Sequence, residues 1–279
     1  MAIPLTLFKI LGFLGFLVTA FYWLWGFNYQ QKNVNEAFGF KLEGLAKDQI
    51  DQEFYWVNHF IDSLNRDVNI ESWRASGFIF DNEMELKIRE AVNQLLIEED
   101  IGIQANVPLT FIKPDGVLLR ISTAGFYWPL SGEAHVDGGL YPLQWPYTVA
   151  HELFHGHGIT DEGDCNFLAL LACLKTNDPR LSYSAILGYW RYVASEFRRH
   201  NGRDGYKNKF DELPTPFKQD LKNVYEYLER YPDIFPKLRN KIYNSYLKSQ
   251  GVKEGMKSYN KVVMLFHGWR KLNRLKNSD

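Results

Sequence analysis

Between Lys9 and Asn28 the chain runs for eighteen residues, Ile10 to Phe27, without one charged side chain. Wound as a helix, such a run is about 27 Å long at about 1.5 Å per residue, close to the roughly 30 Å hydrocarbon core of a bilayer. Phe21, Tyr22, Trp23, Trp25 and Tyr29 crowd its C-terminal end, the place where an aromatic belt meets the membrane–water boundary. A cleaved signal peptide needs small residues there instead, and a buried core segment is usually shorter. The run is therefore expected to be one single-pass transmembrane helix, held in the lipid bilayer through residues 10–27. Residues 1–29 form the anchor in this reading, and 30–279 one folded domain. Lys32, Lys41 and Lys47 after the run outnumber Lys9 before it, which points to a cytoplasmic domain. A short N-terminus held inside would give the reverse side, so orientation stays open.

The remainder has the balance of a globular domain. Its 32 basic and 33 acidic side chains leave a net charge of −1, which excludes a strongly basic nucleic-acid binder. Two cysteines exclude a disulfide-stapled scaffold and any metal site made of four thiolates. Cys165 and Cys173 fall eight positions apart on one expected helix, too far to pair, and read as small buried residues.

Apolar periodicity then places the elements. Ile50, Phe54, Val57, Ile61 and Leu64 form one helical stripe within Lys47–Asp67. Ile88, Val92, Leu95 and Leu96 form another within 82–99, with Asn82 as the expected N-cap. Val107–Ile112, Val117–Ile121 and Ala124–Trp128 are short β-rich runs interrupted by Pro and Gly, which predicts a small sheet. Helices return over about 146–157, 162–176, 182–200, 215–230, 234–249 and 255–275. The fold class is thus mostly α with a small β-sheet (α+β) after one N-terminal transmembrane helix.

Chemistry concentrates in His151-Glu152-Leu153-Phe154-His155, an H-E-x-x-H sequence behind Pro146, a residue well placed to open a helix. Histidines at i and i+4 share a helix face and can hold one metal ion, and the glutamate between them can reach water there as a general base. The plainer account is a pair of helix histidines in the surface or core. A third ligand must come from elsewhere. Gly158 ends the helix as a C′ glycine, and Asp161, Glu162 and Asp164 compete at the next helix start. Asp161 has the offset of a last ligand but equally that of an N-cap. Glu162 shares a face with Asn166 one turn on, the arrangement in which the acid ligates and the amide orients a histidine from behind. That favours Glu162. His157 is either an alternative ligand or a solvated loop histidine.

Other parts of the chain join this motif in a wider pattern. They are Trp25-Gly26-Phe27-Asn28-Tyr29, Gly125-Phe126-Tyr127-Trp128-Pro129, Gly132-Glu133-Ala134, Pro146 to Glu152, the helix Glu162–Cys173, Tyr183-Ser184 and Tyr246 to Gly251. Together they resemble a bacterial membrane-anchored zincin-like family known only as a domain of unknown function. The resemblance implies a zincin-like metallopeptidase domain on the bacterial cytoplasmic (inner) membrane. It further implies a gluzincin-type site with His151, His155 and Glu162 binding Zn2+ and Glu152 as base. Relatives tend to read E-D-E-A-N where this chain has Glu162-Gly163-Asp164-Cys165-Asn166, so the ligand and amide positions survive.

The expected function is a membrane-anchored zinc metallohydrolase, a peptidase acting on a peptide or protein substrate; a non-peptide amidase would share the metal. The alternative is a zincin-derived, non-catalytic membrane binding or scaffold protein. Trp128–Gly139 is a candidate edge for an extended substrate, with Glu133 and His135 as candidate contacts. Tyr183, Tyr189, Arg191 and Tyr192 on the next helix are candidates for oxyanion stabilisation, and Tyr183 for substrate binding, though core or surface packing is the more natural account of each tyrosine. The basic, amphipathic tail after Gly251 is expected to pack as a terminal helix in preference to lying on lipid.

Overall fold

The structure, a computed structural model, describes residues 5–237, 241, 245 and 261–276. Helix α1 (Leu5–Leu24) is the apolar run, and its stretch Thr6–Leu24 is long and apolar enough to cross a membrane, with none of it buried in the protein. A 3-10 turn over Gly26–Gln30 and a short α2 (Val34–Ala37) carry the chain into the domain.

Helices α3 (Lys47–Leu64), α4 (Val68–Ala75) and α5 (Asn82–Glu98) follow. The stripe Ile50, Phe54, Val57, Ile61 and Leu64 is buried as its spacing demands, and Phe54 stacks on Phe197 at 3.9 Å between ring centroids. The cap of α5 is Asp81, not Asn82. Asp81 is still extended, and its carboxylate accepts the Met84 N–H at 2.8 Å. Asp67, Asp161 and Asp178 cap α4 and the later helices Glu162–Lys175 and Pro179–Asp211 in the same way.

Three strands form one sheet in the order β1 (Leu109–Ile112), β3 (Glu133–Asp137), β2 (Gly125–Trp128), with β1 parallel and β2 antiparallel to β3. Val117–Ile121 is not a strand. The buried Asp137 carboxylate takes the N–H groups of Gly116, Leu118 and Leu119 at 2.7, 2.7 and 3.2 Å, and the chain tightens into a 3-10 turn over Leu119–Ile121. Most of Trp128–Gly139 is not an edge either. It contains β3, the central strand, so the exposed edge beside the site belongs to β2.

Two helices occupy the centre. Helix α6 (Trp145–Gly156) opens on Pro146, buries nearly every residue, and ends with Gly158 at φ +91°, a conformation that favours glycine. Helix α7 (Glu162–Lys175) is buried from Gly163 to Cys173. The sheet and α5 pack on α6, while α5, α8 (Pro179–Asp211) and α10 (Lys261–Lys276) pack on α7. A non-helical Gly202 kinks α8, and α9 (Thr215–Glu229) returns across it through Phe217 against Trp190. The tail packs as expected over its described part: Val262, Val263, Leu265 and Phe266 are buried, and Arg270 pairs with Glu53 at 2.8 Å. The expected helix over 234–249, the start of that over 255–275 and Tyr246–Gly251 fall largely outside the described residues.

Candidate metal centre

His151 and His155 project from one face of α6 towards the first turn of α7, which carries Glu162. Their donor atoms converge. His151 Nε2 lies 3.1 Å from Glu162 Oε2 and 3.1 Å from His155 Nε2, and His155 Nε2 lies 3.5 Å from the same Glu162 oxygen. One donor atom from each of the three residues falls within 4.8 Å of the others. Two imidazoles and a carboxylate so arranged are a donor set of the kind zinc takes. The His155 ring is oriented from behind: Nδ1 donates to the Ile159 carbonyl at 2.7 Å, which turns Nε2 towards the cluster. Cys165 Sγ touches Nδ1 at 3.4 Å, with its thiol pushed up to about 12 by burial.

Glu152 lies on the same helix under the sheet, within the fields of His151, His155 and Glu162. It is buried, and Oε2 has no hydrogen-bond partner among the described residues. Burial raises its carboxyl to about 7, against the lowering fields of His151 and His155. Glu162 shifts the other way: burial would raise it, but hydrogen bonds from His151 and His155 hold it well below the carboxylate range. The backbone of Gly125 lies directly over Glu152. A Cβ at Gly125 would stand 2.8 Å from Glu152 Cγ and 2.6 Å from the His135 carbonyl oxygen.

The competing carboxylates have other work. Asp161 caps α7 by accepting the Asp164 N–H at 2.9 Å, and Asp164 pairs with Lys261 at 2.8 Å and accepts the Val34 N–H at 3.2 Å. His157 is neither solvated nor in the cluster. It is buried and donates from Nδ1 to the Ile103 carbonyl at 2.7 Å. Asn166 joins a tyrosine pair: Tyr147 donates to its side-chain oxygen at 3.3 Å, and its amide donates to the Tyr192 hydroxyl at 3.3 Å. Among the described residues, none of its side-chain bonds reaches a histidine.

The expected substrate contacts scatter. Register pairs Phe126 with His135 and Trp128 with Glu133, so all four project from the sheet face opposite Gly125, Tyr127, Ala134 and Val136, the face that covers α6. His135 stacks on Phe126, and Glu133 accepts from Ser131 at 3.1 Å. Tyr183 is fully buried in a separate network, donating to Asp220 and accepting from Arg74, each at 2.5 Å. Tyr189 donates to Glu53 at 3.3 Å. Of the α8 group, Tyr192 comes nearest the centre, through Asn166.

Sequence reasoning missed Trp25 as a part of the site. Its ring is 5.9 Å from that of His155 and 5.4 Å from that of Tyr127. The aromatic cluster at the end of α1 carried that signal, but it has the same composition as a lipid-facing belt.

A family model described as a protein of unknown function (DUF3810) matches residues 2–267. No curated protein and no solved structure matches the chain.

Proposed function

The chain belongs to the DUF3810 family, and from the geometry of its own site we propose that it is a membrane-anchored zinc-dependent hydrolase, most simply a peptidase. One observation carries this reading. Two histidine nitrogens and a carboxylate oxygen converge from α6 and α7, beside a buried glutamate with an unpartnered oxygen. His151, His155 and Glu162 would hold the metal, and three nitrogen and oxygen ligands suit zinc in a catalytic setting. Bound zinc would supply Lewis-acid polarisation of a carbonyl and a more acidic water.

The chain's own groups supply the rest. Glu152, buried on the same helix as the histidines with one oxygen unpartnered among the described residues, is the group that would take a proton from water and deliver it to the leaving amine. The Ile159 carbonyl keeps the His155 tautomer that presents Nε2. The exposed edge of β2, whose first residue lies over Glu152, offers backbone groups along which an extended peptide can lie.

The test is metal analysis of the purified full chain, followed by cleavage of an unbiased peptide library. About one zinc per chain is expected, lost in His151→Ala. Glu152→Gln should keep zinc and lose hydrolysis. Unchanged zinc in His151→Ala would sink the site. A zinc-loaded chain that cleaves nothing would favour the scaffold alternative.

A further inference from the structure

The route from α1 into the domain has no slack. A flexible ten-residue linker would let a domain drift about 17 Å from its anchor. Here Trp25, the first residue after α1, is wedged between Tyr127 and His155. Beyond it, the side chains of Asn28 and Gln31 face Gly158 at the end of α6, and the Val34 N–H is bound by Asp164 on α7. The segment 25–34 is therefore clamped to both helices that carry the His151, His155 and Glu162 cluster. One Cα step of about 3.8 Å, the reach of the Trp25 side chain and the 5.9 Å Trp25–His155 ring contact together set the cluster within roughly 15 Å of the end of α1. The headgroup layer of a bilayer is about 5–7 Å deep on each side.

A second apolar surface lies near Trp25. Tyr127 holds the β2–β3 turn beside Trp25, and that turn exposes Trp128 (44%) and Leu130 (38%). Trp23 (73%) and Phe27 (64%) are exposed around the end of α1. Aromatic and apolar side chains left in the open next to a spanning helix match the interfacial zone of a membrane.

We infer that the cluster is seated at the membrane surface, just beyond the headgroup layer, and that its substrates are themselves membrane-anchored polypeptides, cut in the first residues outside the lipid. The reaction rests on the hydrolase reading above. Water's oxygen joins the carbonyl carbon, the C–N bond breaks, and the water's protons end on the new amine and the new acid. A soluble protein would have to reach a site held against the headgroups from free solution. An anchored one is delivered there at an effective concentration that favours it by about 100-fold or more.

The experiment uses the zinc-loaded full chain in phosphatidylcholine vesicles containing a minority of phosphatidylglycerol. Cys165 and Cys173 are buried, so a nitroxide can be placed singly at Leu130→Cys, with Tyr225→Cys on α9 (53% exposed) as reference. The label at position 130 should be relaxed more by oxygen than by a water-soluble nickel chelate, and the label at 225 the reverse. Two water-like labels overturn the placement. The second arm compares reporters with one randomised segment, either fused to a helix of about 20 apolar residues or free in solution. At least about 100-fold faster cleavage of the anchored form is expected. Equal cleavage overturns the substrate class and leaves the hydrolase reading standing. No cleavage of either overturns the hydrolase reading and the inference with it.

Discussion

Replacing Asp137 with Asn should cost the domain several kilocalories without touching the candidate centre. Asp137 is fully buried on β3, and its carboxylate organises the loop between β1 and β2. One oxygen accepts the N–H groups of Gly116 and Gly139, both at 2.7 Å; the other accepts those of Leu118 at 2.7 Å and Leu119 at 3.2 Å. An asparagine can keep one oxygen in place, but its NH2 group then faces two donors. Hydrogen bonds to a charged acceptor contribute about 1.5–3 kcal/mol each, so losing one good and one long bond costs about 3–5 kcal/mol. Removing the charge itself recovers part of the burial penalty, which brings the net to about 3 kcal/mol. For a domain of this size that is a fall in Tm of about 6–12 °C. Thermal and urea unfolding of the full chain in detergent, followed by tryptophan fluorescence, would read it. Asp115→Asn is the control: Asp115 is 41% exposed and pairs with Lys113, and should change stability by less than about 0.5 kcal/mol. If the two variants melt together, the Asp137 carboxylate is not what shapes the loop.

Three further outcomes follow from other parts of the molecule. Gly125→Ala must displace β2 or Glu152, so hydrolysis should fall at least about 10-fold with zinc retained, whereas Gly44→Ala, with open space around its Cα, should be silent; equal rates for both would show that the close approach is unimportant. Arg74→Met leaves Asp220 and Tyr183 buried without their cation and should cost about 3–5 kcal/mol in urea unfolding, part of it restored by adding Asp220→Asn; no restoration would remove the ion pair as the cause. At Asp178, burial raises the carboxyl, but bonds from Arg180 and Lys87 outweigh it and bring the group down to about 2 from 3.8. A depressed acid stabilises the fold above its unfolded pKa and loses that as pH falls, so about 1 kcal/mol, after allowance for solvent screening, should disappear between pH 4 and 2. An unchanged acid limb in Asp178→Asn would refute this assignment.

The helices were legible because their apolar spacing is a local property. Ile50 to Leu64 bury one side of α3 whatever the rest of the chain does, and Pro146 and Gly158 mark the limits of α6 through their own backbone preferences. The two histidines of the cluster were legible for the same reason, since i and i+4 share a face in any helix. What local spacing does not carry is which distant group answers a backbone N–H. Val117–Ile121 has strand composition, yet Asp137 collects the N–H groups that a neighbouring strand would have taken. Glu133 and His135 lie close to the H-E-x-x-H motif in sequence, but the pleat of β3 turns them away from α6, and only register reveals it. Tyr183 and Tyr192 lie on one helix; their nine-residue offset puts one against Asp220 and the other against Asn166. Between Asp161, Glu162 and Asp164 the choice rested on Lys261 and Val34, which occupy the two aspartates from opposite ends of the chain.

That last arrangement has a bearing on biosynthesis. The turn carrying Glu162 is braced by Val34, 130 positions before Asp164, and by Lys261, 100 positions after Asp161. While the chain is still being made, α6 and α7 leave the ribosome well before Lys261 does, so Asp164 then lacks its ammonium partner. Closing a loop of that span carries an entropic cost that the local helices do not meet. A truncated or stalled product that lacks Lys261 would carry the H-E-x-x-H residues without the ammonium that pairs with Asp161 and Asp164 on either side of Glu162.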